Sequence, residues 1–288
     1  MEPLEPRFLF AGNIDTSSVG LFTVQGDPAT LDRNRPVWLV AHGLTSSKGD
    51  PLVISYANAL AAGSPDHQVL IVDWSVLAVD PPEEYIGIQR AWAAADAIAT
   101  FIRAAKIKAN RIDFAGLSMG AQVAHRLAQD IGPLGHIVAV DPAAVSGKYA
   151  DQFGKLQNAT PNFKADAKYS LAFFATASLA ASLSAHATIQ LTGLVGGEGE
   201  QHDESQTVVN LMLNRNAGFL SPGSENISRL FSSKNILGGK LPAWKNNGLA
   251  FGFEATLLCR AVPESASNEF EPLQLLYKDK RNRFVFAL

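Results

Sequence analysis

Cysteine is almost missing from this chain: Cys259 stands alone among 288 residues. An internal disulfide and a cysteine-built metal cluster are both excluded. Cys259 lies at the end of the apolar run 255–259, where a thiol reads as a small buried hydrophobe rather than a nucleophile. Strong charge of one sign is missing too. The formal net charge is -3 and no basic tract stands out, so nothing invites nucleic acid. Long hydrophobic runs are missing as well. The best candidate, 171–187, is rich in Ala and Ser and holds His186, which does not suit a transmembrane segment. The first ten residues, MEPLEPRFLF, lack the basic start and apolar middle of an export signal, which suggests a cytoplasmic location.

What remains is ordinary globular material. With 47% hydrophobic and 18% charged residues, the chain has enough apolar mass for one large core. Nearly continuous apolar runs at 36–41, 68–72, 111–116 and 136–140 suit strands covered on both faces. A further early strand is expected at 20–25, and Gly26-Asp27-Pro28 punctuates it.

Helix signals fall between these runs. Asp50-Pro51 reads as an N-cap with proline at the first helical position, opening a helix that lasts to about Ala62. Asp80 and Glu83 have capping-box spacing. Ile88, Trp92, Ala95, Ala99 and Ile102 then recur on one helical face. A third helix is expected from Met119 to about Gln129. This alternation predicts an α/β fold with a mostly parallel central sheet and helices on both faces.

Beyond Asp141 the rhythm loosens. Residues 145–163 read as a surface excursion, 169–176 and 187–192 as strands, and 204–214 as a helix. Strands are expected at 249–259 and 273–286, with a hairpin turn at 278–282. The expected organisation is one domain over 1–288, with 217–288 a less regular, β-rich portion.

The sharpest local signal is Gly116-Leu117-Ser118-Met119-Gly120. It follows a predicted strand and opens a predicted helix, the setting in which G-x-S-x-G forms a nucleophile elbow of the α/β-hydrolase fold. The turn would project the Ser118 hydroxyl near the positive end of the following helix. Two backbone N–H groups are then needed for an oxyanion. Met119, next after the serine, would supply one. Leu44, in Val40-Ala41-His42-Gly43-Leu44 at the end of an earlier strand, would supply the other. His42 reads as a structural residue of that loop.

A serine nucleophile needs a base oriented by a carboxylate. Of six histidines, His42 and His67 precede Ser118, against the chain order of this fold. His125 lies further down the elbow helix, and His136 starts a strand at its far end. His186 and His202 remain. His202, in a polar loop before a predicted helix, has the greater freedom to reach Ser118. For the acid, Asp141 ends the strand beside the nucleophile strand, and Pro142 stops that strand; Asp166 and Asp73 are alternatives.

Several of these segments together resemble the pancreatic-type lipase family. VWLVAHGLTSS resembles its oxyanion segment, VLIVDWS its Val-Asp-Trp strand end, GLSMGAQVAHRLAQ its elbow, and HIVAVDPA its acid segment. The resemblance implies Asp141 as the acid. Through EQHDESQTVV it implies His202 as the base, and through AHATIQLTG it matches His186 to a non-catalytic histidine. It spans roughly residues 30–215 and is loose after Asp141. Its members are usually secreted and disulfide-rich, so the resemblance implies a location outside the cell, although a chain with one cysteine cannot form an internal disulfide. The family's disulfide-closed lid has little room here, since only residues 194–201 separate the predicted strand from His202.

The resulting expectation is a serine carboxylic-ester hydrolase, lipase or phospholipase A1-like, that works through an acyl-enzyme. It would need no metal and no organic cofactor. Its partners would be an ester or lipid substrate and a transient lipid interface. Two alternatives use the same scaffold: an inactive binding or storage protein, and an acyltransferase or peptidase. A dehydrogenase is disfavoured, because no G-x-G-x-x-G follows a predicted strand.

Overall fold

The structure, a computed structural model, describes residues 14–81, 84–143, 161–174, 185–192, 198–215, 255–260, 274–278 and 284–287. Its centre is a ten-stranded sheet. In chain order the strands are β1 (Gly20–Phe22), β2 (Val37–Ala41), β3 (Gln68–Asp73), β4 (Ile112–Leu117) and β5 (Leu134–Val140). Then come β6 (Ala167–Phe174), β7 (Ala187–Thr192), β8 (Ala255–Arg260), β9 (Gln274–Lys278) and β10 (Phe284–Ala287). Across the sheet the order is β1-β3-β2-β4-β5-β6-β7-β8-β9-β10. The strands from β3 to β8 pair in parallel, and β1, β9 and β10 join antiparallel at the two edges.

The apolar runs form central strands for the expected reason. Every residue of β2 is fully buried, so neither face can carry a polar side chain. In β4 the one charged exception is Asp113, at its amino end. There His136 Nδ1 donates to Asp113 Oδ1 over 2.7 Å, and His67 Nε2 lies 3.3 Å from Oδ2. Burial raises the Asp113 pKa, but the hydrogen bonds and charges of His136 and His67 leave it below the usual carboxylate range.

The helices are α1 (Pro51–Gly63), α2 (Glu84–Ala105), α3 (Gly120–Ile131), the single turn α4 (Phe163–Asp166) and α5 (Glu198–Arg215). They lie on both faces of the sheet, with α2 packed against α3 and α1 against α5. Asp50 caps α1 as expected, accepting from Leu52 N at 2.8 Å. On α2 four residues of the predicted stripe, Ile88, Ala95, Ala99 and Ile102, are at most 1% exposed, whereas Trp92 is only partly buried against the same core. Among the described residues no helix is long and apolar enough to cross a membrane.

Some expectations fall outside the described residues. These are the capping pair of Asp80 with Glu83, most of the 145–163 excursion, and the 278–282 turn beyond Lys278. Cys259 sits on β8 in register with Leu191; its side chain is also outside them. The strands β8, β9 and β10 extend the same sheet rather than forming a separate one.

One surface feature predicts a pH dependence. Asp130, in the last turn of α3, faces the negative end of the helix dipole. Burial, then the hydrogen bond and charge of Asp96, push its pKa up to about 6, against the opposing charges of Arg126 and Arg103. A raised folded pKa means that Asp130 favours folding most fully below the unfolded value near 3.8, and that this is lost as pH rises through 6. Asp130→Asn should therefore melt higher than the parent at pH 7.5, by about 1 kcal/mol once solvent screening is allowed for, and equal it near pH 3.5. Thermal melts at both pH values check this. A difference that does not grow with pH would refute it.

Candidate active site

The elbow is built as its glycines require. Ser118 takes a φ of 52°, the left-handed region that L-residues rarely enter, between the end of β4 and the start of α3. A Cβ on Gly116 would stand 2.6 Å from the Ala121 backbone, and one on Gly120 would strike the backbone oxygens of Ala41 and His42. The turn can only be this tight with hydrogen at both positions. Hydrogen bonds hold the strained backbone. Ser118 N donates to Val140 O at 2.9 Å, and Ser118 O accepts from Ala121 N at 3.0 Å and Ala143 N at 3.2 Å. The serine is thus tied to the residues on either side of the acid candidate.

Asp141 is strained as well, with φ 41° and 2% exposure. Its N–H donates to Phe173 O of β6 at 2.7 Å. Its Oδ2 accepts from His202 Nδ1 at 2.5 Å. With Nδ1 carrying the proton toward the carboxylate, Nε2 is left as the basic nitrogen. The His202 side chain is 30% exposed while the Asp141 side chain is buried. What exposure the pair has thus lies on the histidine.

His202 reaches Asp141 by a different route from the expected one. The sequence suggested a polar loop ahead of a helix that begins near Glu204. Instead α5 begins at Glu198, so the imidazole projects from its second turn. Acidic residues in the first turn of a helix are favourable there, and residues 198 and 200 are both glutamates.

The loop after β2 lies directly against the elbow. A Cβ on Gly43 would stand 3.0 Å from Ser118 Cβ and 3.5 Å from Ser118 Oγ. Among the described residues, no backbone acceptor takes the N–H of Leu44 or Met119. The N-terminus of α3 at Met119 has no side-chain cap, and its partial positive charge lies beside Ser118.

His42 is structural, as its place in the loop suggested. Fully buried, it donates from Nδ1 to Gly43 O at 2.9 Å and accepts at Nε2 from Trp74 N at 3.3 Å. Trp74 Nε1 returns a bond to His42 O at 3.0 Å, and the two rings stack with centroids 5.5 Å apart. The role of Trp74 is not legible in its Val-Asp-Trp segment alone. It clamps the loop that carries Gly43 and Leu44.

The remaining candidates are engaged elsewhere. Asp73 accepts from Lys48 Nζ at 2.9 Å and lies 3.4 Å from His42 Nε2. Burial raises its pKa, but the nearby His42 ring and the hydrogen bonds from Lys48 and Ser75 leave it well below the usual range. Asp166 pairs with buried His125 at 2.7 Å. His186 binds Ser170 through Nδ1, at 3.1 Å from its N and 2.9 Å from its Oγ. Burial, aided by the charge of Lys164, pushes the His186 pKa down. His67 and His136 share Asp113.

A mostly parallel sheet, a serine at positive φ on a glycine-walled strand-to-helix turn, and a His–Asp pair close by define the hydrolase type of α/β fold. The chain belongs to the alpha/beta hydrolase family, whose model matches residues 38–232. No curated protein sequence matches it. Among solved structures it is similar to Est1E from Butyrivibrio proteoclasticus, at 14% identity over 68% of this chain and 90% of that one, with a TM-score of 0.45. It is also similar to a hyperthermophilic esterase from the archaeon Pyrobaculum calidifontis, at 17% identity over 72% and 86%, TM-score 0.39. A third is a phospholipase/carboxylesterase from Dyadobacter fermentans, at 15% identity over 68% and 96%, TM-score 0.41.

Proposed function

We propose that this chain hydrolyses carboxylic esters through an acyl-enzyme on Ser118. The observation that carries the reading is the bond from His202 Nδ1 to Asp141 Oδ2, which turns Nε2 into a base. Its nearest support is the strained elbow, whose backbone is hydrogen-bonded on both sides of that aspartate.

In the proposed reaction His202 Nε2 takes the proton of Ser118 Oγ as that oxygen attacks the ester carbonyl. Asp141 keeps the proton of Nδ1 in place and stabilises the imidazolium that forms. The N–H groups of Leu44 and Met119 bond the carbonyl oxygen as it becomes an anion. Collapse of the tetrahedral intermediate breaks the bond to the alkoxy oxygen, and the imidazolium gives that oxygen its proton. Water then repeats the sequence against the acyl-serine and releases the carboxylic acid.

Within the esters, a lipid substrate is the finer proposal. It rests on the resemblance of the segments around Leu44, Trp74, Ser118 and Asp141 to the pancreatic-type lipases. The short segment between β7 and His202 leaves little chain for a closing lid, so the crevice should stay open without an interface.

The test combines a fluorophosphonate probe with a panel of p-nitrophenyl esters, a phospholipid and an amide. Covalent labelling at Ser118 and turnover of the esters are expected. A folded protein that neither labels nor turns over an ester would favour a binding scaffold over an enzyme. Rate against lipid concentration should saturate smoothly. A sharp rise at the micellar threshold would count against a permanently open crevice.

A further inference from the structure

His202 rides on a helix, so the aim of its ring is set by how that helix is docked. The helix α5 rests mainly on α1. Its inner face carries Ser205 and Val209, both fully buried, on the same side of the helix as His202 by their spacing. Ser205 Oγ donates to His202 O at 2.7 Å. From α1, the fully buried Tyr56 hydroxyl donates to Gln206 O at 2.8 Å, one helical turn beyond His202. This bond links parts of the chain that lie far apart in sequence, on the two helices that must stay in register for the imidazole to meet Asp141.

We propose that Tyr56 is a positioning residue for His202: its hydroxyl fixes the docking of α5 on α1 and thereby the aim of the imidazole. The inference deepens the ester-hydrolase reading and rests on it. The bond is suited to the task. A helical carbonyl has a second lone pair after its own intrahelical bond, and a phenol can use it without breaking the helix. Burial raises the Tyr56 pKa well above its ordinary value, so the hydroxyl remains a donor at any working pH. The site needs this rigidity. Proton transfer demands hydrogen-bond geometry between Ser118 Oγ and His202 Nε2, and an error of about 1 Å can cost roughly a hundredfold in rate. Side chains that merely fill space would let α5 slide by a fraction of that, whereas a directional bond resists it.

Tyr56→Phe keeps the buried ring and deletes only the donor. Its kcat on a p-nitrophenyl ester should fall about tenfold, with KM within about twofold of the parent, since Tyr56 is fully buried and out of reach of a substrate. The rate of fluorophosphonate labelling should fall in parallel. The split between kcat and KM is the readout that a merely structural role would not move. A folded Tyr56→Phe protein with parental kcat overturns the assignment, even if it melts lower. Val209→Ala trims the same inner face but leaves the bond from Tyr56 to Gln206 O intact. Its kcat should stay within about twofold of the parent, whether or not Tyr56→Phe folds, and a tenfold fall there would give the docking to packing and overturn the assignment. Parental labelling at Ser118 with an unaffected variant overturns only the role of Tyr56. No labelling of the parent would overturn the hydrolase reading and this inference with it.

Discussion

Ser118→Ala should fold normally and hydrolyse p-nitrophenyl esters at least about 10⁴-fold more slowly than the parent. The fold should survive because the substitution leaves the elbow unchanged in every respect but one oxygen. Alanine pays the same penalty at φ 52° as serine, since both carry a Cβ. The bonds from Ser118 N to Val140 O and from Ala121 N and Ala143 N to Ser118 O are made by the backbone and persist. Only the proposed nucleophile is lost. His202→Ala should reach a comparable loss by removing the base. The double variant should be scarcely worse than either single one, because a nucleophile without a base and a base without a nucleophile fail at the same step. The measurement is steady-state hydrolysis, with circular dichroism to confirm the fold. Multiplying losses would mean that the two residues serve separate reactions. Ester turnover at the parental rate in folded Ser118→Ala would end the assignment of Ser118.

The parts of this molecule that sequence made legible are those fixed by local chemistry. β2 and β4 announced themselves because burial on both faces leaves no polar alternation to confuse the reading. The elbow was legible because Gly116 and Gly120 are demanded by backbone contacts within a few residues or one strand away. The environment of His202 was misread for a physical reason. Gly197-Glu198-Gly199-Glu200 has poor intrinsic helix propensity, each glycine costing up to about 1 kcal/mol, so a loop was the better local expectation. The helix there is tertiary in origin, held against α1 by Tyr56 and by the buried Ser205 and Val209. No local pattern carries that information. The same holds for Asp113, which gathers His67 from the approach to β3 and His136 from β5. These three residues sit far apart in sequence and meet only once the strands pair.

The loop around His42 lies between these cases and leads to the second large effect. Gly120→Ala should abolish activity and take much of the stability with it. Gly120 is the first residue of α3, and the atoms a Cβ would meet there are the backbone of Ala41, with C at 2.8 Å, and His42 O at 2.8 Å. Backbone cannot rotate aside as a side chain would. Ala41 lies in the fully buried β2, and His42 is held by its bond to Trp74 and the stack between them. Relief must come from α3 moving away from β2. That displaces the Met119 amide, and it pulls on Ser118 through the bond between Ala121 N and Ser118 O. Both the proposed nucleophile and one proposed oxyanion donor would leave their places together. A methyl forced into close-packed surroundings costs about 1–3 kcal/mol, and more where rigid main chain receives it. Loss of a single oxyanion donor alone costs about 10²–10³ in kcat. Folded Gly120→Ala should thus show a clearly lowered melting temperature and at least a hundredfold fall in ester turnover. A control at Gly26 separates this from a general intolerance of alanine: that position has φ 90° but nothing within 4 Å of a built Cβ. Gly26→Ala should lose about 1 kcal/mol of stability from backbone strain alone and keep its full rate. Equal rates for the two variants would mean that the approach of α3 to β2 does not govern the chemistry at Ser118.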